Sequence, residues 1–192
     1  MHPARNPGPR KVIAKNEESV KLFAQAAPWQ RVWLLLCSQL ALRNAEARSI
    51  SQANYDAHDG TITFRKKGGD DHVLPVTPEI MAVFEAAPAA PEGCEEWTYV
   101  DRWRGKKMSK AAIEHQWRKL KKACGVRETL RVHDLRRTTA VAFYELTKDL
   151  RAVSHLLGHT SMSATASYLA NRDPQTLRPL LAQLKMPTQV KQ

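Results

Sequence analysis

The chain offers few of the marks of a metalloprotein, a nucleotide-dependent enzyme or a membrane protein. Its three cysteines, Cys37, Cys94 and Cys124, are odd in number and none stands in a CxxC pair, so neither a disulfide framework nor a zinc knuckle is indicated. There is no Gly-x-x-x-x-Gly-Lys loop to cradle a nucleotide phosphate. The longest apolar run, residues 32–37, is far short of the roughly 20 residues that cross a bilayer. The first eleven residues are polar and proline-rich, without an apolar h-region, so a cytoplasmic protein is expected. Glycine is scarce, at 8 of 192 residues, and helix formers dominate, which predicts a mainly helical fold. Acidic charge is scarce too. Against 30 Lys and Arg stand 19 Asp and Glu, a net charge of +11 that favours a polyanionic partner.

What charge there is lies unevenly. Residues 101–122 hold nine basic side chains against two acidic ones, a net of +7, while residues 77–97 hold five glutamates and no Lys or Arg. One sign is expected to face nucleic acid and the other to turn away. Residues 1–15, with three prolines and several basic groups, suit a linker or arm. Asn16 predicts an N-cap, and Val20, Leu22, Phe23 and Ala26 begin an apolar helix face that Pro28 breaks. A very apolar helix is predicted over 29–42. From Ile50 the period shortens to that of strands. Residues 50–55, 61–64 and 72–76 are expected to form a small three-stranded antiparallel sheet, with turns at 58–60 and 66–71. Thr77-Pro78 opens a helix to about Ala86.

Ser109 then caps a helix that Gly125 ends, with Ile113, Trp117, Leu120 and Cys124 as its apolar stripe. Its other face, Lys110, Arg118, Lys119, Lys121 and Lys122, is expected to lie on DNA phosphates. Further helices are predicted over 134–146, 149–157, 161–169 and 174–184, the last with Leu177, Leu180, Leu181 and Leu184 at helical spacing.

Across these elements six residues occur in one order: Arg43, Lys67, His133, Arg136, His159 and Tyr168. Two arginines can neutralise a phosphodiester, a tyrosine can attack it, and a lysine and histidines can move protons, all without a metal. Each residue alone has a plainer explanation. His133 and Arg136 fit an ordinary helix start, and Arg43 could pair with Glu46 three residues on. Lys67 could be a solvated turn charge and Tyr168 a core tyrosine. His155 and His159 stand four apart, but Leu156 replaces the glutamate of His-Glu-x-x-His and Gly158 interrupts the helix, so no metal site is expected and His155 reads as a partly buried structural residue.

Leu42-Arg-Asn-Ala-Glu46, Lys67-Gly-Gly69, His133-Asp-Leu-Arg136, Leu156-Leu-Gly-His159 and Tyr168 together resemble, in order and spacing, the catalytic domain of the tyrosine recombinases, the phage integrase family. The resemblance covers about residues 10–172. It implies a mainly α fold with a small three-stranded antiparallel sheet, and metal-free, cofactor-free DNA cleavage and rejoining through a 3′-phosphotyrosyl intermediate. By that resemblance Arg43 and Arg136 clamp the scissile phosphate, Lys67 protonates the leaving 5′ oxygen and Tyr168 is the nucleophile. His133 and His159 hydrogen-bond the phosphate, with His133 a proton acceptor, and Glu46 braces the site. Duplex DNA and further copies of the protein, four on paired sites, are the implied partners. Residues 16–172 would be the catalytic domain and 173–192 a tail whose helix docks on a neighbour or on its own chain.

Ala41 stands where the family often has glycine, and Asn44 where an aliphatic residue is common. The chain begins near the linker that follows the family's core-binding domain, so it is expected to act alone, or to be a fragment or a decayed gene. Two other functions remain open: a non-enzymatic DNA-binding regulator that keeps the fold, and relaxation of the type IB topoisomerase kind.

Overall fold

The computed structural model describes residues 12–66, 69–102, 105, 107–159 and 161–169, the side chains of 167–169 excepted. In chain order the helices are α1 Asn16–Gln25, α2 Pro28–Ser38, α3 Asn44–Ser49, α4 Pro78–Glu85, α5 Tyr99–Arg102, α6 Lys110–Ala123, α7 Val132–Thr147, α8 Leu150–Leu156 and α9 Met162–Leu169. The strands are β1 Tyr55–Asp56, β2 Thr61–Arg65 and β3 Asp71–Pro75, antiparallel in that order. The fold is mainly helical with a three-stranded antiparallel sheet, as expected. Among the described residues no helix is long and apolar enough to cross a membrane.

α2 is the centre of the core. Eight of its eleven residues are buried, because apolar side chains occur all round it rather than on one stripe. α7, α5, α3 and α4 pack against it. Trp33, wholly buried, meets Trp117 of α6 edge-on at 5.8 Å between ring centroids. In the sheet, Ile62 pairs with Leu74 and Phe64 with His72. Those four are buried while their strand neighbours are not, the period-2 pattern of a sheet covered on one face.

One capping device recurs. At the starts of α1, α2, α3 and α7 the third helical side chain turns back to accept from the amide just before the helix: Glu18 from Lys15, Gln30 from Ala27, Glu46 from Arg43 and Asp134 from Arg131. Each satisfies a donor that the helix itself leaves unpaired.

Three elements differ from the sequence expectation. The helix predicted to reach residue 42 stops at Ser38, and α3 starts six residues later. The strand expected over 50–55 shrinks to Tyr55–Asp56 behind a 3-10 turn at Gln52–Asn54, since Asn54 Oδ1 accepts from the Ser51 amide at 2.8 Å and tightens the chain there. The short helix α5 was not expected. The helix predicted over 174–184 and most of the N-terminal arm lie outside the described residues.

Candidate active site

The site begins where α2 ends early. Ser38 O accepts from Thr139 Oγ1 of α7, and Ala41 O accepts from Arg136 Nη1 of the same helix. Bringing that carbonyl inward turns Ala41 to a left-handed φ of 53°, a conformation that glycine adopts without steric cost. The family's frequent glycine at this place therefore has a physical reason, and Ala41 carries the strain instead. Arg43 follows as the residue capping α3. Its amide donates to Glu46 Oε2 and its Nη1 to Glu46 Oε1, both at 2.7 Å.

Arg136 forms the floor and is 1% exposed. Besides Ala41 O, its guanidinium donates through Nη2 to Leu157 O at 2.7 Å and lies 3.2 Å from His159 Nε2. Its Nη1 stands 3.8 Å from Glu46 Oε2. One buried carboxylate is thus shared by two guanidiniums, Arg136 on the floor and Arg43 with a side chain one-third exposed at 33%. Those three groups leave one positive charge in excess, in a place where water screens it poorly.

Both histidines of the six are held toward the neutral form. Desolvation, then Arg136 and Arg43, push His159 down to about 4. Desolvation, then Arg136, lowers His133, with Asp134 opposing and Arg43 adding. His133 is exposed at the start of α7, one turn before Arg136. Besides desolvation, Arg136 and Arg43 lower both histidines, and the contacts join Arg43, Arg136 and His159 through Glu46 and the Arg136 guanidinium at one point. Charge complementarity at that point calls for an anion.

Lys67 and the side chain of Tyr168 lie outside the described residues; position 168 falls in α9. Lys66, which follows β2, packs against Gly158, the residue before His159. Gly158 has a φ of +57°, and a Cβ there would stand 3.0 Å from Lys66 Cδ and 3.3 Å from His72 Cδ2. His72, which sequence reasoning passed over, is the buried member of this contact. Its ring meets Phe64 at 5.4 Å and His155 at 5.1 Å, both edge-on. Its place on the inward phase of β3 was the signal that could have found it. His155, expected to be partly buried, is exposed with its ring laid against His72. His155 and His159 therefore face different neighbours, as Gly158 between them turns the chain.

On α6 the basic face divides. Lys110, Arg118, Lys119 and Lys122 are exposed, and Ser109 caps the helix as expected by accepting from the Ala112 amide at 3.1 Å. Lys121 does not belong with them. It is 6% exposed, its Nζ donates to Leu130 O at 2.9 Å and to Glu128 O, and it sits 5.6 Å over the Trp117 ring. Its ammonium ties α6 to the segment entering α7, so it is removed from the DNA-facing set. A groove of about 630 Å³ is lined by residues of this helix, among them Trp117 and Arg118, together with Asn44 and His133. Asn44 is polar for a local reason: its Oδ1 accepts from Trp33 Nε1 at 2.9 Å.

The model of the phage integrase family matches residues 13–175, and the chain belongs to that family. A tyrosine recombinase XerC of Rhodospirillum centenum is 29% identical over 177 residues, covering 86% of this chain and 51% of that protein. A tyrosine recombinase XerA of Pyrococcus furiosus is 28% identical over 174 residues, covering 85% and 60%. The chain thus spans about half the length of the curated relatives it matches. Among solved structures, that of XerA recombinase superposes with a TM-score of 0.73 at 19% identity, over 92% of this chain and 66% of the other. The catalytic domain of bacteriophage HP1 integrase does so at 0.61 and 18% identity, over 91% and 95%. A XerH site-specific recombinase bound to palindromic difH substrate, in a post-cleavage complex, superposes at 0.70 and 19% identity, over 90% and 53%.

Proposed function

We propose that this chain is the strand-cutting domain of a site-specific DNA recombinase that works through a covalent tyrosyl intermediate. The observation that carries the reading is the Glu46-braced pair Arg43 and Arg136, flanked by two neutral histidines at one anion-seeking corner. Arg43 and Arg136 take the two non-bridging oxygens of the scissile phosphate, and their charge stabilises the pentacoordinate state. Tyr168 Oη attacks phosphorus, and its proton passes to His133, which is neutral and able to accept it. As the bond from phosphorus to the tyrosyl oxygen forms, the bond to the 5′ oxygen breaks and that oxygen takes a proton from Lys67. The 3′-phosphotyrosyl bond keeps its energy for rejoining to another 5′ hydroxyl, and the chemistry asks for neither metal nor nucleotide.

Duplex DNA at a recombination site is the substrate. Lys110, Arg118, Lys119 and Lys122 supply phosphate contacts beside the groove, and copies of the protein assemble on two sites, as a tetramer, for strand exchange. The domain occupies residues 16–172 and residues 173–192 serve contact between copies.

A nicked duplex built on DNA recovered bound to the protein in its host tests the reading. Loss of the short fragment beyond the nick blocks rejoining and traps the adduct. The expected product is a denaturation-resistant complex with the 3′ phosphate on the peptide that contains Tyr168. Tyr168→Phe abolishes it while leaving DNA affinity in place. An adduct that persists in the Phe variant moves the nucleophile elsewhere, and none in wild type favours a regulator that only binds. Relaxation of a supercoiled plasmid without any such site would point to topoisomerase-like action instead.

A further inference from the structure

Thr165 lies on α9, is 0% exposed, and its hydroxyl stands 2.9 Å from His159 Nδ1. The other ring nitrogen, Nε2, is 3.2 Å from Arg136 Nη2. A guanidinium has only donors, so Nε2 is the acceptor in that contact. A neutral imidazole that accepts at Nε2 carries its proton on Nδ1, and Thr165 Oγ1 is what receives it. Thr165 precedes position 168 by three residues, one turn of the same helix. A single hydroxyl therefore connects the floor arginine, through His159, to the helix of the nucleophile.

We infer that Thr165 is a positioning residue for strand cleavage, holding the Nδ1 proton and the ring plane of His159 and thereby the seat of α9. The inference rests on the cleavage reading above. With Nδ1 held by Thr165, a proton taken up when a phosphate arrives has one place to go, Nε2. That nitrogen faces Arg136, and once the Arg136 donor turns to the phosphate a protonated Nε2 can itself donate to a phosphate oxygen. Without the Thr165 hydroxyl, the Nδ1 proton loses its acceptor and the ring is freer to turn about χ2, although Arg136 still asks Nε2 to accept.

Thr165→Val replaces the hydroxyl with a methyl of similar volume, and Thr165→Ser keeps the acceptor. In the suicide-substrate assay the Val variant is expected to form adduct about tenfold or more slowly, the scale on which outer partners of a functional histidine act. The Ser variant stays within about threefold of wild type. On a His159→Ala background, Thr165→Val should change the rate less than twofold, because its effect passes through the ring. Nitrogen-15 shifts of His159 provide a readout independent of rate. Wild type and Thr165→Ser should show the neutral Nδ1–H form with that proton hydrogen-bonded, and Thr165→Val an Nδ1 shift moved toward that of an unbonded N–H.

Full additivity with His159→Ala, or an Nε2–H ring in an adduct-forming wild type, overturns the inference and leaves the cleavage reading standing. Should Thr165→Val fail to fold, the wild-type and Ser spectra still decide. Failure of wild type to form any adduct overturns the cleavage reading itself.

Discussion

Replacing Glu46 by glutamine separates two things that its carboxylate does at once. The side chain is 7% exposed, 2.7 Å from Arg43 Nη1 and 3.8 Å from Arg136 Nη1. Opposite charges about 4 Å apart attract by roughly 4 kcal/mol at an effective dielectric near 20, and removing one member of a buried pair commonly destabilises by about 3–5 kcal/mol. The Arg43 side is discounted because that guanidinium is 33% exposed. Glutamine also keeps one oxygen for the Arg43 amide. The expected loss is therefore about 2–4 kcal/mol in urea unfolding, seen as a lower midpoint at unchanged slope. The same change leaves two guanidiniums uncompensated. Inorganic phosphate, acting as a stand-in for the scissile group, should then raise the midpoint of Glu46→Gln more than that of wild type, by the linkage of binding to folding. An unaltered midpoint, or an equal phosphate response in both proteins, would refute the claim that Glu46 is the counter-charge of the arginine pair.

Acid should weaken the fold through His159. Its folded pKa of about 4 lies below the unfolded value of 6.5, so the unfolded chain binds more protons between those limits and stability falls as pH drops from 6.5 through 4. A shift of that size is worth up to about 3 kcal/mol, and partial solvent access lowers this to roughly 1–2 kcal/mol; urea titrations of His159→Asn should show a flatter pH dependence, and a slope equal to wild type would assign the effect to other groups. Lys119→Ala with Lys122→Ala should reduce the salt dependence of DNA binding by about one unit per lost phosphate contact, whereas Lys121→Ala should lower thermal stability by roughly 1–2 kcal/mol through the lost bonds to Glu128 O and to Leu130 O, the latter still accepting from Trp117 Nε1. If Lys121→Ala changes only the salt slope, its inward placement is refuted. Lys67→Ala should slow cleavage of ordinary DNA and be rescued by a substrate with sulfur at the 5′ leaving position, which needs no acid; equal defects on both substrates would make Lys67 a phosphate contact. Lys148 ends α7 at a φ of 55°, so Lys148→Gly should raise the melting temperature by the equivalent of about 0.5–1 kcal/mol, net of the exposed pair with Glu145; a lower melting temperature would contradict this.

The six-residue order was visible in the sequence because each member has chemistry that its spacing could not hide. Sheet and helices were visible where burial is one-sided, as in Ile62 and Phe64 against their less buried neighbours. The early stop of α2 was not visible. Residues 39–42 are good helix formers with an apolar pattern that continues, and neither glycine nor proline marks the break. What ends the helix is remote: Thr139 and Arg136, about a hundred residues on, take up the carbonyls of Ser38 and Ala41. Lys121 misled for a related reason. A lysine stem can run along an apolar stripe and bring its ammonium to buried carbonyls, and spacing alone does not say where those carbonyls are. His72 and Thr165 are ordinary residue types for a strand and a helix, and only their neighbours give them meaning.

The contacts of Arg136 also bear on how such a protein decays. Its guanidinium joins Ala41, Leu157 and His159, and so holds together the ends of α2 and α8 besides the phosphate role proposed for it. A lineage that drifted toward binding DNA without cutting it could not shed this arginine cheaply, since the loss would loosen the whole domain. On the cleavage proposal, the open route to an inactive descendant is the loss of Tyr168. Degenerate relatives that still fold should therefore keep the arginine long after the tyrosine has gone.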